Sequence, residues 1–298
     1  MKKRTALTEK MTVGEGILIY TPVILFVIMC LVPFVVLISS SFTDSDYLKY
    51  NGATLIPHGF TLAAYKTVFL RPSEILTAYG VSIFVTVVGT VLNVLLSVMV
   101  AYPISRLNFR FNKAVSLYFY ISMIFNAGLI PTYIVLQKLN LIDTIWVMIF
   151  PPLVIVGYIF TLKVFFVAVP DGIVESARID GASEGRILFQ IAVPLVKPGI
   201  ATIAFYTVLF YWNDPNMALY YTMKTELTPI ALYMTRISNY IEAIKWAKQQ
   251  GTFVVDFEVP EDSIIYATAI VTSGPMLFVF SLFQKYFVQG LTSGGVKG

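Results

Sequence analysis

Cysteine, histidine and charged residues are scarce in this sequence, and each shortage excludes a class of chemistry. The chain of 298 residues has one cysteine, Cys30, and one histidine, His58. These counts exclude an intrachain disulfide, a thiolate metal site and a histidine-based metal cluster or catalytic triad. His58 stands between Pro57 and Gly59, and we expect it to be a solvated loop residue.

The low charge content points to a membrane protein. Charged residues make up 13% of the chain and hydrophobic residues 57%, whereas charge runs at about a quarter of residues in an average soluble domain. Such a composition predicts that much of the surface faces lipid.

Six apolar runs are long enough to cross ~30 Å of hydrocarbon, which takes ~20 helical residues. They predict an all-α membrane protein with six transmembrane helices in a domain of residues 17–288, between an N-terminal arm (1–16) and a tail (289–298). The first run is too long for the core of a cleaved signal peptide, so we expect a retained span. The predicted spans are about 17–38, 78–103, 114–136, 144–166, 187–211 and 264–284.

Basic residues are unequally divided between the two sides that six spans define. Thirteen lie on the side of both termini, and eight lie in the longer loops of the other side. Because basic loops stay in the cytoplasm, both termini and the polar segment 170–186 are predicted to be cytoplasmic. The acidic stretch 212–262 is then an external loop, within which 238–250 is predicted to form a short amphipathic helix.

The predicted spans lack the ionisable side chains that ion-driven transport and intramembrane catalysis require. No Asp, Glu, Lys or Arg falls in the middle of any span, although secondary carriers and intramembrane enzymes keep such groups despite a cost of about 2.5–3.5 kcal/mol each. The glycines from Gly290 to Gly295 are followed by Val296, not by the Gly-Lys-Ser/Thr of a phosphate-binding loop. If the protein drives transport, the energy must come from a separate ATPase.

The stretch from Asp171 to Pro198 is the long charge-mixed segment between two apolar ones, and it predicts a helix, a glycine corner and a second helix. Asp171 can cap the first helix through its carboxylate. Gly181 readily takes positive φ at a helix end, and Ser183 can cap the second helix. Pro194 and Pro198 are predicted to bend the chain into the fifth span.

The same segment resembles the "EAA" signature of permease subunits in bacterial ABC importers. Further positions are similar to the carbohydrate branch, which includes maltose-type and polysaccharide-type permeases. Two positions depart from the signature, with serine in place of its first alanine and valine in place of leucine. The matching positions are Glu175-Ser176-Ala177, Gly181, Ile191 and Val193-Pro194, with Asp180-Gly181-Ala182-Ser183 and Pro194 through Pro198 for the carbohydrate branch.

The resemblance implies a type I ABC importer permease fold with a cytoplasmic coupling helix, in the bacterial cytoplasmic membrane. The implied partners are a second permease subunit, usually a different chain, two ATPase subunits and an extracytoplasmic sugar-binding protein. ATP and Mg would be held by the ATPase subunits, and this chain would bind no cofactor, catalyse no reaction and bind no nucleic acid. The implied coupling residues are Glu175, Ser176, Ala177, Asp180, Gly181 and Ala182.

Sugars bind to hydrogen-bonding side chains and aromatic faces, which in transporters lie near mid-membrane. Each candidate for the substrate pathway could equally serve packing or interface anchoring. The break that Asn126, Gly128 and Pro131 make in the third span could open a pathway or form a packed kink. The candidates are Asn93, Asn126, Thr132, Tyr206, Trp212 and Asn213.

We therefore expect the permease subunit of an ATP-driven importer of an oligosaccharide or polysaccharide fragment. Two alternatives from other classes stay open at this point. One is a non-transporting membrane scaffold whose polar helix recruits a cytoplasmic partner. The other is an ion-coupled secondary carrier, which the uncharged spans disfavour.

Overall fold

The computed structural model describes residues 13–106, 109–250 and 261–294, and these residues are mostly helical, with no strand among them. The predicted all-α fold class is therefore confirmed for the described chain. Residues 1–12 of the N-terminal arm, 251–260 of the external loop and 295–298 of the tail lie outside the described residues. The helices are α1 (Val13–Ser41), α2 (Ser45–Asn51), α3 (Ala63–Val68), α4 (Pro72–Ser105), α5 (Asn112–Ile124), α6 (Leu129–Lys138), α7 (Val156–Val167), α8 (Asp171–Ile179), α9 (Glu184–Arg186), α10 (Val193–Leu195), α11 (Lys197–Asn213), α12 (Asn216–Tyr221), α13 (Ile230–Gln249) and α14 (Glu261–Gly294).

Three of the described helices are long and apolar enough to cross a membrane alone: Leu18–Ser41, Pro72–Ser105 and Asp262–Lys285. Three further pairs of helices pass the same test only if each bent pair counts as one span, which gives up to six. The predicted amphipathic helix at 238–250 is part of α13, which begins eight residues earlier, at Ile230.

The predicted third span, 114–136, is two helices that meet at 114°. α5 ends at Ile124 and α6 begins at Leu129, and Gly128 between them has a φ of +86°. Asn126 Oδ1 accepts the Gly128 N–H at 2.9 Å, so the side chain replaces a backbone partner that the break removes.

The fourth span was predicted at 144–166, but its α-helix, α7, begins only at Val156. Pro151 and Pro152 lack N–H groups and disfavour helical backbone in the residues before them. The preceding residues instead form a 3₁₀ turn, Ile145–Met148, followed by irregular chain. This backbone is covered by protein, since Val147 and Ile149 are fully buried, and buried irregular backbone is compatible with membrane depth.

The fifth span was predicted as one run from 187 to 211, whereas the structure has a sharp bend inside it. Glu184–Leu195, which contains a π-helical turn at Ile187–Ala192, meets Lys197–Asn213 at 84°. Pro194 and Pro198 flank the bend, and neither can donate the backbone hydrogen bond that a continuous helix requires. The predicted bend is confirmed, but the straight helix α11 starts ten residues later than the predicted span.

The described residues divide into two compact units, 13–70 with 241–250 and 261–271, and 71–106 with 109–240 and 272–294. In the first unit the Ser41 and Tyr65 hydroxyls lie 2.9 Å apart, which joins the end of α1 to α3. His58 is an exposed loop residue, as predicted, and its ring stacks on Tyr47 with centroids 4.3 Å apart.

The second unit is built on α4, α7 and α11, whose apolar residues share one buried cluster with α8 and the π-helical turn. Two glycines allow the helices to approach closely. A Cβ on Gly89 would lie 2.5 Å from the Tyr211 ring, and one on Gly199 would lie 2.5 Å from the Phe165 ring. This tightly packed unit positions α8, the polar helix that the sequence singled out.

Candidate functional site

The polar helix α8 begins at Asp171, directly after Pro170, whose φ of −57° and ψ of 130° are those of extended chain. The prediction that the Asp171 carboxylate caps this helix is wrong, because Pro170 occupies the cap position and Asp171 is the first helical residue. The Asp171 carboxylate instead accepts a hydrogen bond from Arg106, 65 positions earlier in the chain, at 3.0 Å.

α8 ends in a glycine turn, as predicted. Gly181 has a φ of +78°, its N–H donates to Arg178 O at 3.0 Å, and the Ala182 N–H donates to Ala177 O at 2.9 Å. These two bonds define a Schellman motif, which satisfies carbonyls that the end of a helix otherwise leaves free. The turn therefore fixes the direction in which the chain leaves α8.

Two side-chain contacts support the second half of the corner. Ser183 Oγ accepts the Arg186 N–H at 3.4 Å, which confirms the predicted cap. Arg178 Nε lies 2.7 Å from Glu184 Oε1, and this hydrogen bond raises the pKa of the guanidinium. Because both side chains are largely exposed, the pair contributes less than about 1 kcal/mol, and the glycine turn is the stronger constraint.

α8 has one buried face and one exposed face. Val174 and Ala177 are 2% and 8% exposed and pack into the buried cluster of the second unit. Glu175 and Ser176 are exposed on the opposite side, as is Ile179, at 86%. We call Glu175, Ser176 and Ile179 the outer face.

The predicted coupling residues therefore divide by position. Glu175, Ser176, Asp180 and Gly181 are exposed, Ala182 is half-buried, and Ala177 points into the core. Ile179 was missed because its spacing resembles that of a core residue. Its place two positions before a glycine turn, on the face opposite Val174 and Ala177, is the signal that could have identified it.

Arg106 was also missed, because in the sequence it is only one member of a basic turn. Its side chain is 9% exposed and follows the last residue of α4. It lines a pocket of about 360 Å³ between the end of α4, α8 and the segment that follows α8. The lining residues are Tyr102, Pro103, Arg106, Phe109, Arg178, Glu184, Gly185 and Leu188. The guanidinium thus lies where the end of α4 meets the corner.

Two of the predicted pathway residues are engaged inside the protein. Asn93 is fully buried, its Nδ2 donates to Leu153 O at 2.7 Å and its Oδ1 accepts the Thr207 hydroxyl at 3.2 Å. Trp212 is 3% exposed, and its indole N–H donates to Thr272 O at 2.9 Å. Both side chains act in packing, and we leave them out of the proposed pathway.

The other four pathway candidates lie at or near the surface of this chain. Asn126 and Asn213 are exposed, and Thr132 is half-buried. The Tyr206 ring is 50% exposed and is roughly parallel to the Tyr158 ring, with centroids 6.4 Å apart. None of the four lines the pocket beside Arg106.

Long apolar helices, a buried irregular segment and one amphipathic helix held at a glycine corner define a helical multi-pass membrane protein. Residues 93–293 match the family described as "Binding-protein-dependent transport system inner membrane component". The match covers more than half of the 298 residues, and the chain belongs to this family of transport permeases.

Curated relatives cover nearly the whole chain. The protein LplC of Bacillus subtilis (strain 168) is 34% identical over 268 residues, which are 90% of this chain and 90% of LplC. The polygalacturonan/rhamnogalacturonan transport system permease protein YtcP of the same organism is 33% identical over 284 residues, 94% of this chain and 97% of YtcP.

A solved structure shares the fold. A chain from the crystal structure of a bacterial ABC transporter involved in the import of the acidic polysaccharide alginate superposes with a TM-score of 0.76 at 25% identity. The superposition covers 91% of this chain and 96% of that chain. The type I permease fold that the resemblance implied is thereby confirmed.

Proposed function

We propose that this chain is one permease subunit of an ATP-driven importer that moves an oligosaccharide or polysaccharide fragment across the bacterial cytoplasmic membrane. The observation that carries the proposal is the family match over residues 93–293, which includes the glycine corner after α8. The substrate class is supported by YtcP, named for the transport of polygalacturonan and rhamnogalacturonan, and by the transporter involved in the import of the acidic polysaccharide alginate.

Coupling to ATP hydrolysis takes place at the outer face of α8 and the corner after it. Glu175, Ser176, Asp180, Gly181 and half-buried Ala182 contact a cleft of a cytoplasmic ATPase subunit, and buried Ala177 attaches the helix to its own subunit. Ile179 adds an apolar contact beside the carboxylates. The two ATPase subunits bind ATP and Mg, and this chain provides the surface that they move.

The remaining partners follow from the same proposal. A second permease subunit, usually a different chain in this family, completes the pathway, and an extracytoplasmic sugar-binding protein meets the loop 212–262. Asn126, Thr132, Tyr206 and Asn213 are the candidates for sugar contact on this chain. Tyr206 is the most favourable of them, because an exposed aromatic face packs against the C–H surface of a sugar.

Charge reversal at Glu175 tests the coupling. We expect Glu175→Lys to lower both the amount of co-purifying ATPase and ATP-dependent uptake in proteoliposomes by at least about tenfold, because loss of a paired interfacial charge costs about 2–5 kcal/mol. The matched control is Glu242→Lys, an exposed glutamate of α13 in the predicted external loop, which should leave ATPase binding unchanged.

The same assay separates the alternatives. A membrane scaffold would bind its cytoplasmic partner without any uptake by the wild-type complex. An ion-coupled carrier would take up solute without ATP and would stop when a protonophore is added. Wild-type uptake that requires ATP and the binding protein and that survives the protonophore supports the proposal, and either of the other results overturns it.

A further inference from the structure

We infer that Arg106 is a positioning residue that fixes the direction of α8 relative to the ends of α4 and α7, so that the three helices move as one body. The inference rests on the proposed function, in which α8 receives the movement of the ATPase. It concerns a residue outside the signature segment, 65 positions before its partner Asp171.

The Arg106 guanidinium reaches both sides of the corner between α7 and α8. Its Nη1 donates to Asp171 Oδ1 at 3.0 Å and to Val169 O at 3.4 Å, and its Nη2 donates to Phe166 O at 3.3 Å. α7 ends at Val167 and α8 begins at Asp171, and the two helices meet at 76°. One side chain, directly after the last residue of α4, therefore bonds to the end of one helix and to the start of the next.

The charges at this corner favour the arrangement. The last carbonyls of α7 carry partial negative charge, and a cation near them is stabilising. Asp171, in the first turn of α8, is an acid at the positive end of a helix dipole. Arg106 lies between the two, and its planar fork of donors holds several acceptors in fixed directions, which a lysine ammonium does not do.

Tyr102 holds the guanidinium from the other side. It lies one turn earlier on α4, and the Arg106 Cζ atom is 5.1 Å from the centre of its ring. The same ring meets Phe166 edge-on, with centroids 5.6 Å apart. The side chain is thereby packed against an aromatic face that is itself anchored to α7, which leaves it few alternative rotamers.

Apolar packing alone does not fix the angle of α8. Val174 and Ala177 hold the helix against the buried cluster, but hydrophobic contact is non-directional and permits a helix to slide or turn. The hydrogen bonds of Arg106 have defined directions and act at the start of α8. Packing therefore keeps α8 attached, and Arg106 determines how its displacement is passed to α4 and α7.

The test measures solute transported per ATP hydrolysed by the reconstituted importer. We expect Arg106→Gln to lower this ratio about fivefold or more, within the range of typical coupling free energies. Asp171→Asn removes the negative charge from one of the contacts and should lower the ratio less, and the double variant should resemble Arg106→Gln, because contacts that act as one unit are not additive. An unchanged ratio for Arg106→Gln in a complex with normal ATPase content would overturn the inference.

Two control variants distinguish the positioning role of Arg106 from a loss of stability and from a mere loss of positive charge. Arg110→Gln removes a positive charge from the same basic turn. The Arg110 side chain is exposed, with its Cζ atom 5.8 Å from the centre of the Phe111 ring, so the ratio of solute to ATP should not change. Val174→Ala weakens the packing of α8, so uptake and ATP hydrolysis should fall together at a constant ratio. A drop in ratio for Val174→Ala equal to that for Arg106→Gln would assign the effect to general destabilisation.

A second measurement decides the inference even if the proposed function fails. Hydrogen exchange of the full permease in lipid nanodiscs reports the backbone of Asp171–Ile179 without any transport. Arg106→Gln should accelerate exchange in this helix at least about threefold relative to Arg110→Gln, because local opening becomes easier. Equal exchange in the two variants would exclude the positioning role of Arg106, whereas absence of uptake by the wild-type complex would exclude only the proposed function.

Discussion

Gly181 turns the chain out of α8 with a φ of +78°, a conformation that costs other L-residues roughly 1–2 kcal/mol. Its backbone N–H also closes the turn by donating to Arg178 O. An added Cβ would meet nothing within 4 Å, so any penalty for a side chain here comes from the backbone and not from crowding.

We expect Gly181→Ala to lower the free energy of unfolding by about 1–2 kcal/mol, measured by thermal unfolding in detergent. Gly185, inside α9, is the matched control. It does not have positive φ, and a Cβ added to it would also meet nothing within 4 Å. Gly185→Ala should be neutral or should stabilise the protein by up to about 1 kcal/mol. Equal effects of the two variants would contradict the strain argument.

Sequence reasoning at the residue scale succeeded where a residue acts on its immediate neighbours. The glycine turn at Gly181 and the cap at Ser183 follow from local backbone chemistry, and both are present. The role of Asp171 was missed because its partner, Arg106, comes from another helix. The local sequence does not indicate whether the carboxylate bonds to the backbone N–H groups of its own helix or to the distant Arg106 side chain.

At the scale of whole elements, the close contact of α4 and α11 depends on Gly89. The Tyr211 ring lies against this glycine, and its hydroxyl donates to Ile149 O at 3.1 Å. That carbonyl belongs to the irregular segment before α7, where the ladder of helix hydrogen bonds is not continuous. Gly89 therefore admits the ring that satisfies a buried carbonyl.

Gly89→Ala should lower the free energy of unfolding by about 1–3 kcal/mol, because a Cβ would force the Tyr211 ring away and overpack the contact. Gly80→Ala, on the same helix but exposed and with open space at its Cβ, provides the control and should not destabilise. Thermal unfolding of the two purified variants compares them directly. A destabilised Gly80→Ala with an unaffected Gly89→Ala would refute the packing argument.

The apolar runs were sufficient to predict helical segments in this order along the chain, but not where each helix begins or where a span is broken into two helices. Hydrophobicity does not distinguish α7 from the non-helical chain before it, because both are apolar and both combine buried with exposed side chains. That segment is compatible with burial because Asn93 and Tyr211, from other helices, bond to the carbonyls of Leu153 and Ile149. Such partners are set by tertiary packing, which a single sequence does not reveal.

At the scale of the whole molecule, apolar surface and polar surface lie on different elements. α5 has no buried residue, and α6 buries only Leu136. The chain around their junction exposes large apolar side chains, among them Phe125 at 74% and Ile130 at 73%. Exposed apolar area of this kind marks contact with lipid or with another subunit. The outer face of α8, by contrast, carries a carboxylate and a hydroxyl, which suits an aqueous compartment.

The cytoplasmic position of α8 is a prediction from the distribution of basic residues, and it can be measured with single cysteines. Cys30 is replaced by serine, which removes the only thiol of the sequence, and one cysteine is then placed at Ser176 or at Asn213. Both sites are exposed, and each native side chain bonds only to a backbone carbonyl of its own helix, at 2.7 and 2.9 Å, so substitution should disturb little.

Because basic loops stay in the cytoplasm, Ser176→Cys should resist a membrane-impermeant maleimide in intact cells and react in inside-out vesicles. Asn213→Cys, at the start of the predicted external loop, should show the reverse pattern. The two variants control each other, since a leaky preparation would label both. Labelling of Ser176→Cys in intact, sealed cells would place α8 outside the cytoplasm, where no ATPase subunit could bind it. That result would refute the roles in coupling proposed for both Glu175 and Arg106.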